Sequence, residues 1–224
     1  DVDTEALGVN IGGLAAVGAS VTIATNSPTL TTFIGNATVT AKEGDITLRS
    51  LSNYDATGAN KLDQGADAYA TAGSGSLVLG AAGSYTEANG SANLETYVAA
   101  GATIKAGADF SLLSKSYNKA VASSEAVGVG LGLGAGVSLA RANNSGLNLA
   151  HFDGASLTGQ VVTIMAETVD YANAYTMAGA GALLGSGVGG DSKSVVNSKT
   201  KAYVGSGADI RAFNSFLLSA EETP

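Results

Sequence analysis

Ala102-Thr103-Ile104-Lys105-Ala106 decides how this chain is read, because its pattern occurs three more times. The counterparts are Ala37-Thr38-Val39-Thr40-Ala41, Ala155-Ser156-Leu157-Thr158-Gly159 and Ala208-Asp209-Ile210-Arg211-Ala212. The leading alanines stand 65, 53 and 53 residues apart. A period of that size signals an array of supersecondary units. An aromatic residue or His followed by an apolar one precedes each copy: Phe33-Ile34, Tyr97-Val98, His151-Phe152 and Tyr203-Val204. A second alternating segment follows each, such as Ile46-Thr47-Leu48 and Val162-Thr163-Ile164. Apolar residues at every second position over short runs predict half-buried strands. The expected columns are small residues at Ala37, Ala102, Ala155 and Ala208, and aliphatic ones at Val39, Ile104, Leu157 and Ile210.

Glycine defines a further block ahead of each copy. Gly18, Gly83, Gly136 and Gly189 keep the same offsets and are expected to form one column, as are Gly75, Gly128 and Gly181. In Gly128-Val129-Gly130-Leu131-Gly132-Leu133-Gly134-Ala135-Gly136-Val137 one strand face would carry only hydrogen atoms. Such a bare face lets another backbone layer approach closely, so the block reads as a tightly packed hairpin or layer. The longer first interval places extra residues at 53–66, an enlarged surface loop. Loops tolerate insertions and carry recognition, so Asn53 and Tyr54 are the candidate binding residues; a passive insertion is the simpler reading.

Composition narrows the class. Of 224 residues 45% are hydrophobic but only 6% aromatic, with no Trp and two Pro. Segments rich in Gly, Thr and Ser make poor helices. The expectation is therefore an all-β chain: a β-solenoid, a β-helix-like rod of four stacked repeats, with room for glycine-rich hairpins packed on the shaft. The single array divides into units at about 1–52, 67–117, 118–170 and 171–224. With a net charge of −8 and only 11 scattered Lys and Arg, nucleic acid is an unsuitable partner. Residues 126–140 are uncharged, but 15 residues fall short of the roughly 20 that a spanning helix needs, so no membrane span is expected. Zero cysteines fit either a ladder that needs no crosslinks or export in an unfolded state. Both ends respect the repeat, so the chain reads as an excerpt of a longer array in which targeting signals would be missing.

Sites for chemistry are sparse. The one histidine, His151, holds the slot filled elsewhere by Phe33, Tyr97 and Tyr203, which predicts stacking in an aromatic column. One His without Cys makes no zinc or copper site and leaves no base for a Ser/His/Asp set. The carboxylates weighed as a pair are Asp45, Asp109, Asp153, Asp170, Asp191 and Asp209. Asp45 and Asp109 share one turn, where Asp caps through its own side chain. No enzyme and no cofactor are expected; weak calcium binding at oxygen-rich turns is the one ion left open. Sequons at Asn36, Asn89 and Asn143 occur at the rate that such a composition produces by chance, and are expected to be bare.

Thr96-Tyr97-Val98-Ala99-Ala100-Gly101-Ala102-Thr103-Ile104-Lys105-Ala106 and the segment from Lys201 to Ala212 resemble repeats of giant exported proteins of Gram-negative bacteria. The group is that of filamentous-haemagglutinin and leukotoxin-like adhesins, and the resemblance extends over essentially the whole chain. It implies a shaft or spacer segment of a secreted or cell-surface protein, reached by an autotransporter or two-partner route. Its partners would be neighbouring repeats or other copies of itself, which makes a self-assembling filament an alternative. A module that binds glycans or host-surface proteins is a further alternative.

Overall fold

The computed structural model describes residues 1–55 and 57–223. Ala56, inside the expected loop 53–66, and Pro224, at the end of the expected unit 171–224, lie outside the described residues. The first strands are β1 (Val2–Gly12), β2 (Ala15–Asn26), β3 (Thr29–Ile34), β4 (Thr38–Ala41) and β5 (Ile46–Ser52). Next come β6 (Ala66–Ser76), β7 (Leu79–Gly90), β8 (Asn93–Val98) and β9 (Thr103–Ala106). The long strands follow: β10 (Phe110–Gly130), β11 (Leu133–Phe152), β12 (Ser156–Gly181), β13 (Gly185–Val204) and β14 (Asp209–Thr223).

They form two sheets in which every named pairing is parallel. The eight-stranded sheet runs β1-β6-β10-β12-β9-β4, with β5 on β10 and β14 on β12. The six-stranded sheet runs β2-β7-β11-β8-β3, with β13 on β11. The sheets face each other across a shared interior, which side chains enter at every second residue.

This corrects the stacked-repeat solenoid expected from the sequence. The chain is all-strand, but it folds as 14 strands in two parallel sheets rather than as four modules carrying hairpins. The expected boundaries at 117/118 and 170/171 fall inside β10 and β12, which run on unbroken. The glycine blocks are not hairpins either. β10 and β11 flank the Leu131-Gly132 turn, yet they hydrogen-bond in different sheets and meet only face to face. Period two was right for strands, but it carries no information about which strand pairs with which.

The interior changes in kind along its length. At one end Val98, Ile104, Phe110, Leu112, Phe152, Leu157, Val162 and Ile164 make a fully buried cluster, with Phe110 and Phe152 edge to face at 6.3 Å. Further along, the filling is alanine: Ala66, Ala68, Ala88, Ala120, Ala122, Ala140 and Ala142. At the far end it is Ala72, Ala82 and Ala126 with glycine. Side-chain volume sets how far apart two sheets stand, so the molecule narrows toward its glycine end. A Cβ added to Gly128 would lie 1.9 Å from the Ala135 carbonyl oxygen, and one on Gly136 would lie 2.2 Å from that of Gly179. The close backbone approach read from the bare glycine face is present.

Candidate functional site

The residues singled out in sequence lie at four places in the fold. Val39, Ile104, Leu157 and Ile210 are adjacent in the ladder and pack into the large apolar cluster, with Ile104 and Leu157 fully buried. The alanine column is only partly as expected. Thr103 N–H donates to the Ala37 carbonyl, Ala155 N–H to that of Ala102, and Asp209 N–H to that of Ala155. Ala102 is buried and Ala208 packs against the core, but Ala37 and Ala155 face solvent. In the third copy Gly154 is the buried neighbour, and a Cβ there would meet the Phe152 ring at 2.6 Å. The glycine column divides in two. Gly18 and Gly136 both pair with Ala82 and face inward, whereas Gly83 and Gly189 both pair with Val137 on the outer face. Likewise Gly75 and Gly181 pair with Val129, one position away from Gly128.

His151 sits in the aromatic column that its slot predicts. Its ring stacks on Tyr97 at 5.1 Å and on Tyr203 at 4.7 Å, and Tyr97 in turn stacks on Phe33 at 5.3 Å. In-register pairing of Phe33, Tyr97, His151 and Tyr203 on adjacent strands places the rings one strand spacing apart. Two carboxylates flank the imidazole: Asp153 Oδ2 lies 2.6 Å from Nδ1 and Glu95 Oε1 lies 3.2 Å from Nε2. Burial, then Asp153 and Glu95, raise the Tyr203 phenol above its ordinary value. The arrangement orients a buried ring; its partners are acids and aromatics.

Asn53 and Tyr54, the candidate binding loop, are committed to internal contacts. Asn53 takes a positive φ of 57° and donates from Nδ2 to the Tyr117 carbonyl at 2.8 Å. Asn is among the few side chains that accept this conformation. The Tyr54 hydroxyl donates to Glu167 Oε1 at 3.3 Å, and Lys115, ion-paired to Glu167 at 2.7 Å, lies over the Tyr54 ring. Burial, and then the Glu167 charge and hydrogen bond, push the Tyr54 phenol far up. Asp55 Oδ1 accepts from Thr57 N, Thr57 Oγ1 and Ala59 N, which folds the loop tip as an Asx turn and holds the Asp55 carboxyl below its usual value.

Of the carboxylates weighed, Asp45 accepts from Asp109 N–H and Asp109 from Val161 N–H, so each ties its turn to the next strand in the sheet. Asp191 pairs with Arg141 and Asp209 with Arg211. Asp170 belongs to a polar interior that the sequence reading missed. Asn118 Nδ2 and Ser198 Oγ both donate to Asp170 Oδ1, at 2.9 and 3.0 Å, while Oδ2 is buried without a partner among the described residues. Burial raises its pKa, against the two donors that lower it. Beside it Asn148 reaches the Ser114 and Glu167 carbonyls and Thr168 Oγ1, to which Ser116 and Thr200 also donate. The available signal was polar residues falling on the inward phase of β10 to β13. Asp1, Asp3 and Asp67 bring carboxylate oxygens within 4.8 Å of one another, and such oxygens could hold a hard cation. Asp67 is already paired with Lys119 at 2.8 Å.

No protein-family model, no curated protein and no solved structure matches this chain.

Proposed function

We propose that this chain is a structural spacer segment of a large secreted or cell-surface protein of the adhesin type that its sequence resembles. The observation that carries this reading is the continuity of the parallel ladder. Long strands pair in register from β1 through β6 and β10 to β12, and from β2 through β7 and β11 to β13. Tension applied between the chain ends is then resisted by rows of backbone hydrogen bonds, reinforced by stacked rings and interior packing. Pulling single molecules by their termini tests it. Stepwise force peaks, each releasing one loop of the ladder, are expected, and extension without resolved peaks would defeat the spacer reading.

Assembly with further copies is the second reading, and one feature favours it. Val204, Ala208, Ile210, Ala212, Phe216 and Leu218 line an apolar hollow of about 540 Å³ where the interior opens between β13 and β14. Among the described residues no further strand pairs there, and an open edge templates another strand. Sedimentation of the wild type and of Phe216→Asp separates the readings. Concentration-dependent growth that the substitution abolishes supports assembly, and a monomer at all concentrations excludes it.

A further inference from the structure

The glycine end is built inside out. On one outer face the rows are Val9-Gly73-Val127-Gly179 and Ile11-Gly75-Val129-Gly181; on the other they include Ala15-Leu79-Leu133-Gly185 and Ala19-Gly83-Val137-Gly189. The turns joining the sheets add a crest of Leu14, Leu77, Val78, Leu131, Leu183 and Leu184, itself laddered by backbone hydrogen bonds. Ile11, Leu183 and Leu184 are 85%, 81% and 84% exposed. Charge stops on a common line. Glu125 marks it on one face and Asp191 on the other, and no ionisable residue lies between that line and the crest. Tyr69, Tyr175 and Tyr85 stand at the boundary.

We infer that this crest docks on the surface of a zwitterionic lipid layer, an activity separate from the spacer role. A protein partner does not suit it. Four strands about 4.8 Å apart and five residues of about 3.3 Å each make a face of only about 300 Å². A stable protein pair buries about 800 Å² on each side. The apolar surface also continues over both faces and the tip, so a surrounding medium covers it where a single opposing face would not. Tyrosines at the polar boundary suit the headgroup region, where a ring with one wet end is favoured. The balance at the rim, Glu5, Glu87, Glu125 and Asp191 against Arg141 and Lys193, is still acidic, and the chain carries −8 in all, which selects neutral over anionic lipid. β1 and β2 leave open ladder edges that hydrocarbon cannot satisfy. Docking is therefore shallow, about 5–10 Å deep as for interfacial helices, and does not span.

The chain has no Trp, so Leu131→Trp and, at the opposite end, Leu217→Trp give single-probe variants. With phosphatidylcholine vesicles, emission from Leu131→Trp shifts to the blue and that from Leu217→Trp does not. The protein floats with the vesicles, and Leu131→Asp/Leu183→Asp/Leu184→Asp lowers the bound fraction about tenfold or more. These side chains point to solvent, and circular dichroism checks that the variant is folded. Absence of flotation at high lipid with folded wild type overturns the inference. So does a triple variant that floats unchanged, or one that instead abolishes self-association measured without lipid, which would make a second copy the occupant.

Discussion

Two glycines that look equivalent in sequence should respond oppositely to a methyl group. Gly136→Ala places a Cβ 2.2 Å from the Gly179 carbonyl oxygen and 3.0 Å from that of Ala126, both backbone atoms of facing strands. Contacts under 3.0 Å are not tolerated, so a sheet must move by about 1 Å, and its movement loosens the equally close approaches at Gly128 and Gly134. Overpacking of this kind costs about 1–3 kcal/mol. Alanine returns about 0.5–1 kcal/mol through reduced freedom of the unfolded chain, leaving a net loss of about 1 kcal/mol. Gly83→Ala meets nothing within 4 Å and its φ is not in the left-handed region, so it keeps the gain alone. Urea unfolding followed by circular dichroism reads both. With a slope of about 2–3 kcal/mol/M, Gly136→Ala lowers the midpoint by about 0.5 M and Gly83→Ala raises it by about 0.3 M. Shifts of the same sign, or a neutral Gly136→Ala, would refute the claim that inward glycines hold the sheets together at this end.

Other substitutions probe the remaining sites. His151→Ala removes a buried ring from between Tyr97 and Tyr203 and should lower stability by about 2–3 kcal/mol. His151→Phe keeps the stack and should stay within about 1 kcal/mol of wild type; equal losses in both would assign the role to Glu95 and Asp153 instead. Asp170 has a raised pKa in the fold, so its contribution is most favourable below the unfolded-state value and is lost as pH rises through the folded one. Asp170→Asn should therefore exceed wild type in stability near about pH 7, by a margin that shrinks toward about pH 3. A margin independent of pH would place the effect in hydrogen bonding rather than charge. Deleting residues 57–63, which spares Gly65 and the buried Ala66 as well as Asn53 and Tyr54, should leave binding to glycan arrays unchanged, and loss of a specific glycan signal would mark the loop as a recognition site.

Strand content was legible because period-two alternation is a local property, readable from Ile46-Thr47-Leu48 or Val162-Thr163-Ile164 alone. The aromatic slot of His151 was legible for a related reason: equal offsets became in-register neighbours at Phe33, Tyr97 and Tyr203. Connectivity was not. Nothing in the residues around 117 or 170 says that β10 and β12 continue for 21 and 26 residues, because parallel pairing is decided by distant segments. The contacts of the loop residues were illegible for another reason. Asn53 carries a positive φ and a hydrogen bond to Tyr117, and the half-buried Tyr54 hydroxyl is bonded to Glu167; both are consequences of a chain reversal seen only in three dimensions.

The phase of the glycine blocks shows most clearly where pattern stops and sterics decide. In Gly128-Val129-Gly130 the usual rule puts the valine inside, and a column drawn through Gly83 and Gly136 assumes one face for both. The structure buries Gly128 and Gly136, exposes Val129 and Val137, and leaves Gly83 half-buried on the outer face. Neighbouring interior positions Ala126 and Ala140 already fix a narrow gap between the sheets, and at that gap only a hydrogen fits opposite a carbonyl. Valine could enter only by widening the gap, which would empty the packing around every alanine beside it. The aliphatic rows are thus driven outward by the small residues next to them. The apolar crest follows from the same taper, since an interior with no room for side chains must carry its large ones on the surface.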